Sequence, residues 1–223
     1  MAAAIVHEAL PLFGWGELAP DRSFGAVVRH RFGERSWVEH QPGWLAGSDE
    51  LFSALVAAVP WRQHRRPMYD RVVDEPRLTA WFPSGATWPH PVLHELAAVL
   101  SARYGQQLGN LGCNLYRDGS DSVAWHGDRV GRSFPEPIVA IVSLGAPRPF
   151  VLRPKGGGGR CHRFSLGWGD LLVMGGRCQQ ELDHAVPKVP SAGPRLSVMF
   201  RPHDEGWLQR VIVGSRRVDP QSG

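Results

Sequence analysis

The second half of the chain is cut into short apolar segments by glycine and proline, and this punctuation constrains the fold more than any other feature. Past Gly105 such segments cover residues 111–116, 122–126, 138–144, 149–152, 163–166, 170–174 and 195–200. Short strands at regular spacing, with no long helix among them, predict a mainly β protein of the jelly-roll kind. The run Gly156-Gly157-Gly158-Gly159 reads as a hairpin loop, because it leads into a strand and not into the helix that a phosphate-binding loop requires.

The first half is different. Residues 1–46 carry proline, glycine and scattered aromatics without sustained periodicity, so loops and a few short strands are expected there. From Ser48, read as a cap, Asp49 and Glu50 precede Leu51, Leu55 and Val59 at four-residue spacing, which predicts a helix to about Pro60. A second packing helix is predicted from Pro91 to Gly105, with Leu93, Leu96 and Leu100 on one face. Between the helices Arg62, His64, Arg65, Arg66 and Arg71 interleave with Tyr69, Trp81, Phe82 and Trp88. Val72-Val73 and Leu78-Thr79-Ala80-Trp81 predict short strands joined by a basic turn or hairpin. Trp88 is best read as core. His90 and His94 have metal-ligand spacing, but no third ligand or general-base Glu completes a zinc pattern, so a helix surface is the simpler reading.

At 223 residues, one domain is expected. No apolar run approaches the ~18 residues of a bilayer span, and no basic and apolar leader opens the chain, so a soluble cytoplasmic protein is expected; separately, a monomer is expected. Cys113, Cys161 and Cys178 are odd in number and lack CxxC spacing, which favours reduced thiols over a disulfide framework or a cysteine zinc site. The net charge of +4 is modest for a dedicated nucleic-acid binder. Nearly all the basic residues are Arg, Lys155 and Lys188 excepted, a bias that either genome composition or phosphate contact explains.

His126-Gly127-Asp128 places two metal donors two residues apart, hence on one face of a strand. A distant third ligand, for which His184 is the best candidate, would complete a facial triad of the kind found in non-haem Fe(II) oxygenases. Downstream, Arg195 and Arg201 stand six residues apart in a strand-like run, again on one face, and the arginine fork suits capture of a carboxylate.

These motifs together resemble the AlkB-like Fe(II)/2-oxoglutarate dioxygenases. The resemblance rests on Asn114-Leu115-Tyr116-Arg117-Asp118-Gly119, Trp125-His126-Gly127-Asp128, Pro137-Ile138 with Ser143-Leu144-Gly145, Gly169-Asp170-Leu171-Leu172-Val173-Met174, His184-Ala185-Val186-Pro187-Lys188, and the stretch from Arg195 to Arg201. Val59-Pro60-Trp61-Arg62-Gln63 and Pro76-Arg77-Leu78-Thr79-Ala80-Trp81 look closest to the branch acting on single-stranded nucleic acid. The likeness covers about residues 50–202. It implies a double-stranded β-helix with N-terminal packing helices and a nucleotide-recognition hairpin, as a domain over 48–202 between an extension (1–47) and a tail (203–223).

The resemblance further implies His126, Asp128 and His184 as iron ligands, Arg195 as the salt-bridge partner of the distal 2-oxoglutarate carboxylate, and Asn114, Tyr116 and Arg201 as further co-substrate contacts. With O2 this chemistry hydroxylates a C–H bond, and on an N-methyl group the product falls apart to formaldehyde and the free base. Alkylated DNA or RNA, single strand preferred, is the implied substrate. Arg62, Arg65, Arg66 and Tyr69 would grip the strand while Trp81 or Phe82 stacks on the flipped base. Two positions depart from the family: Ser197 stands where Asn is usual, and Val130 where repair members carry an acid. Val130 favours the alternative of a protein or small-molecule substrate. A non-catalytic binding module is the third reading.

Overall fold

The computed structural model describes residues 16–68, 71–128 and 134–203. In chain order the strands are β1 (Ala19–Pro20), β2 (Val28–Phe32), β3 (Ser36–Gln41), β4 (Leu45–Ala46), β5 (Arg65–Met68), β6 (Arg71–Asp74), β7 (Leu78–Phe82), β8 (Asn110–Tyr116), β9 (Val123–His126), β10 (Val139–Gly145), β11 (Arg148–Pro154), β12 (His162–Leu166), β13 (Asp170–Gly176), β14 (Leu182–Val186) and β15 (Arg195–Arg201). Helices α1 (Ser48–Ala58) and α2 (Val92–Tyr104) lie early in the series, and the single turn α3 (Cys178–Glu181) late.

Seven strands form one sheet in the order β2-β3-β13-β10-β15-β8-β7, and four form a second in the order β12-β11-β14-β9. All their pairings are antiparallel. This is the expected jelly roll. Strand β10 shows why it holds: its side chains alternate, Val139 and Ile141 entering the core between the sheets, Ala140, Val142 and Leu144 the core under the helices. Both faces are covered, so the strand is apolar throughout. Helices α1 and α2 cover the outer face of the major sheet through Leu51, Leu55, Leu93, Leu96 and Leu100, each fully buried. Truncating any of these to Ala would cost about 2–5 kcal/mol.

The cap of α1 lies one residue before the expected Ser48. Gly47 takes that place in the left-handed conformation, with φ 64°, and Ser48 is already helical. A Cβ on residue 47 would sit 2.8 Å from both the Gly16 carbonyl oxygen and the Leu18 Cα, so the chain can cross here only as glycine. Residues 28–41, which the sequence leaves in an extension, form the β2–β3 hairpin, and β3 pairs with β13 over six positions. Strand β14 is a second addition to the expected set, joined to β11 and β9. The hairpin expected between Pro60 and Pro76 is β5–β6, a separate two-stranded sheet.

The three cysteines are free, Cys113 and Cys178 buried and Cys161 exposed. Among the described residues no helix is long and apolar enough to cross a membrane.

Candidate metal centre and co-substrate pocket

Pairing of β9 with β14 sets His126 directly opposite His184, with ring centroids 4.3 Å apart. Asp128 follows the end of β9, its carboxylate 3.9 Å from His126 Nε2 and 4.0 Å from His184 Nε2. The three donor atoms lie within 4.8 Å of one another. His126 Nδ1 donates to the Ala124 carbonyl at 2.8 Å, which fixes the tautomer and leaves the Nε2 lone pair facing the cluster. His184 stacks on Phe150 and is buried. Burial lowers its pKa to about 4, so it is a neutral donor at physiological pH. For Asp128, burial alone would raise the carboxyl, but Arg201 and the two histidines outweigh it and hold it below the ordinary carboxylate range.

Strand β15 supplies the second half of the site. Arg195 and Arg201 share a face with Ser197 and Met199, opposite Tyr116 and Asn114 on β8. Arg195 is 1% exposed; its Nη2 donates to Ser143 Oγ at 2.7 Å, and its guanidinium lies 5.3 Å from the Tyr116 ring. Its Nε and Nη1 are buried with no acceptor. A buried cation with two donors unmet is costly unless an anion arrives, so this position fits a carboxylate. Arg201, expected to touch the co-substrate, donates from Nη2 to Asp128 Oδ1 at 2.8 Å, with its Nε buried and unbonded. Asn114 Oδ1 accepts weakly from Arg77 at 3.4 Å.

One cavity of about 480 Å³ joins the two halves, within the range of small-molecule sites. It is lined by His126, Asp128, His184, Asn114, Tyr116, Arg195 and Arg201, and by Trp81 on β7. The substrate candidates divide. Phe82 packs against the core under the helices, so of the two aromatics proposed to stack on a base only Trp81 reaches the cavity. Adjacent strand residues point to opposite faces, and this decides between them. Arg62 is exposed and is not among the lining residues, although its backbone pairs with that of Thr79, which is. Arg65 is exposed in a surface ion pair with Asp74 at 3.3 Å. Tyr69 and Val130 lie outside the described residues, as does the Arg66 side chain.

Three site features escape sequence reasoning. Gln179 on α3, 5% exposed, accepts the Asp128 backbone N–H on its Oε1 at 2.9 Å. Gly127 passes under the same turn, where a Cβ would meet the Gln179 carbonyl oxygen at 2.9 Å. Arg148, 1% exposed, donates to the carbonyls of Asp118 (2.6 Å), Asp121 (2.7 Å) and Pro187 (2.9 Å), tying the turn after Tyr116 to the end of β14.

A jelly roll that brings a His-x-Asp and a distant His to one cavity with an anion-hungry buried arginine is built as a metal- and 2-oxo-acid-dependent oxygenase. The comparisons agree: residues 84–217 match the model of the 2OG-Fe(II) oxygenase superfamily. The chain is 35% identical over 186 residues to alpha-ketoglutarate-dependent dioxygenase alkB homolog 3 of Bos taurus, covering 72% of this chain and 64% of that protein. It is 29% identical over 190 residues to DNA oxidative demethylase ALKBH2 of Arabidopsis thaliana, covering 68% and 60%. It thus spans less than two thirds of these relatives. The solved structure of OsALKBH1 shares the fold, with a TM-score of 0.57 at 14% identity over 78% of this chain and 99% of that one. The chain belongs to the 2OG-Fe(II) oxygenase superfamily, and the relatives it resembles there are AlkB homologues. Fe(II), 2-oxoglutarate and O2 are the cofactor and co-substrates that membership implies, and the donor set fits them.

Proposed function

We propose that the protein oxidatively demethylates N-alkylated nucleic-acid bases of the 1-methyladenine and 3-methylcytosine type, preferring single strands. The observation that carries this reading is the one cavity in which the His126, Asp128 and His184 donors, the unmet Arg195 and the aromatic Trp81 all face one another. When bound, Fe(II) with 2-oxoglutarate and O2 supplies the oxidant for a C–H bond, with succinate and CO2 as co-products.

The chain's own residues do the rest. His126, Asp128 and His184 would hold the metal, which would supply the redox chemistry with the co-substrate and O2. Arg195, steadied by Ser143, offers Nε and Nη1 to the distal carboxylate of the co-substrate, and Tyr116 closes the pocket beside it. Arg201 keeps Asp128 ionised and has its Nε left for the co-substrate. Trp81 stacks on the target base, and the hydroxymethyl product loses formaldehyde and a proton, leaving the free ring nitrogen with its lone pair.

The substrate assignment draws on the relatives' names and on the basic β5–β6 hairpin beside the cavity. That hairpin shows arginine and few bulky groups, which suits phosphate contact more than wedging open a duplex. A single strand avoids the few kcal/mol of unpairing and unstacking. The test is demethylation of one oligonucleotide carrying 1-methyladenine or 3-methylcytosine, free and annealed to its complement. Faster release of formaldehyde from the free strand is expected. Equal or faster repair of the duplex would refute the preference, and none from either would point to a protein or small-molecule substrate.

A further inference from the structure

The turn between β6 and β7 holds a charge pair at the edge of the catalytic cavity. Arg77 Nη2 lies 3.1 Å from Glu75 Oε2, and each side chain is only 19% exposed. The neighbouring Asp74 is unlike Glu75, being exposed and paired with Arg65. Backbone contacts fix Glu75 at the foot of the β5–β6 hairpin: its N–H donates to the His64 carbonyl at 2.7 Å, and its carbonyl accepts from Gln63 Nε2 at 3.1 Å. The next carbonyl, of Pro76, accepts the Ser122 N–H at 2.7 Å. The turn is therefore held on both sides, with the Glu75 carboxylate turned to Arg77.

Arg77 lines the catalytic cavity, and its Nε donates to Asn114 Oδ1 at 3.4 Å. A guanidinium carries donors and no acceptor, so it decides which end of the Asn114 amide faces it. The oxygen faces Arg77, and the NH2 group turns toward Met199 Sδ, a weak acceptor, at 3.7 Å. Asn114 thus keeps donor capacity on the wall that it shares with Tyr116, Ser197 and Arg195. Arg77 also lines the neighbouring hollow, with Pro76 and Lys188. Released from Glu75 it has room to swing that way, and the amide is then free to turn its oxygen toward an arriving carboxylate, which is a repulsive contact.

We propose that Glu75 is a positioning residue for the co-substrate: it clamps Arg77, and Arg77 holds the Asn114 amide with its NH2 toward 2-oxoglutarate. The foot of the β5–β6 hairpin and the co-substrate pocket are thereby set as one unit. The inference rests on the reading of Asn114 as a co-substrate contact and adds the residues that orient it.

The test is calorimetric titration of 2-oxoglutarate into the Mn(II)-loaded protein, for wild type, Glu75→Gln, Arg77→Met and Asn114→Ala, for Glu75→Gln combined with each of the other two, and for Asp74→Asn as control. Glu75→Gln keeps the size of the side chain and removes its charge. It should weaken 2-oxoglutarate binding about 2- to 12-fold, the worth of one hydrogen bond, with KM for 2-oxoglutarate rising in step and kcat unchanged. Asp74→Asn should bind like wild type. The loss should vanish in the Arg77→Met and Asn114→Ala backgrounds, because the three residues act in series. A Glu75 that serves only the fold would lower the urea midpoint and add the same loss in every background; that result overturns the proposal, as does wild-type affinity in Glu75→Gln. Should Glu75→Gln fail to fold, Arg77→Met tests the same link: wild-type affinity there, with Asn114→Ala weakened, overturns the relay alone. Wild-type affinity in Asn114→Ala overturns the reading of Asn114 and the relay with it.

Discussion

Replacing Arg195 by Met should separate what this residue does for folding from what it does for the co-substrate. In the protein its guanidinium is 1% exposed, bonded through Nη2 to Ser143, with Nε and Nη1 unmet. A cation buried in that state contributes little to the fold, and an apolar side chain of similar volume is neutral to stabilising by about 1–4 kcal/mol. With 2-oxoglutarate bound the balance reverses, because truncating one side of a buried charged contact costs about 2–5 kcal/mol. At ~1.4 kcal/mol per decade, that weakens 2-oxoglutarate binding by about 30-fold to a few thousand-fold. The assay is thermal unfolding of the Mn(II)-loaded protein with and without 2-oxoglutarate. At a ligand concentration near 100 times Kd the wild type gains about 2.7 kcal/mol, or roughly 5–11 °C in Tm for a domain of this size. The variant should melt no lower than wild type without 2-oxoglutarate and show at most about a third of the wild-type shift with it. A shift equal to that of wild type would refute the placement of the carboxylate on Arg195.

The other expectations follow from the same geometry. Asp128→Ala or His126→Ala should abolish turnover while leaving the far-UV circular dichroism spectrum unchanged; a folded variant with full activity in chelator would remove the metal centre. Gln179→Ala loses the hydrogen bond to the Asp128 N–H, worth about 0.5–1.5 kcal/mol, and should weaken Co(II) binding about 2- to 12-fold by titration. Phe82→Ala should lower stability in urea by about 1–3 kcal/mol because Phe82 packs on the core, whereas Trp81→Ala should mainly raise KM for the methylated strand. The reverse pattern would mean that β7 presents its other face to the cavity.

Much of this was legible where periodicity and chemistry coincide. The apolar run of β10 and the leucine spacing of α2 each follow from one repeat length, and the structure places them as that repeat requires; of the His-x-Asp pair, His126 lies in β9 while Asp128 follows the strand's end. What stayed hidden depends on tertiary partners. The run Val28-Arg29-His30-Arg31-Phe32 reads as solvent-facing and reveals itself as strand only through β3, whose own pairing is with β13. Strand β14 carries Asp183 and His184 amid three apolar residues, so the metal ligand itself interrupts the strand signal. Arg148 looks like a solvated charge until the fold wraps four carbonyls around it. The choice between Trp81 and Phe82 needed the phase of one strand, which only its pairing with β8 sets.

The central claim is that one cavity couples 2-oxoglutarate turnover to removal of a methyl group from a base. Its most direct measurement is the ratio of formaldehyde to succinate on a single strand carrying 1-methyladenine, with the unmethylated strand as control and Arg195→Met beside wild type. A ratio near one on the methylated strand is expected, with little succinate from the control and little of either product from the variant at limiting 2-oxoglutarate. Succinate formed equally with both strands and no formaldehyde from either would contradict the account.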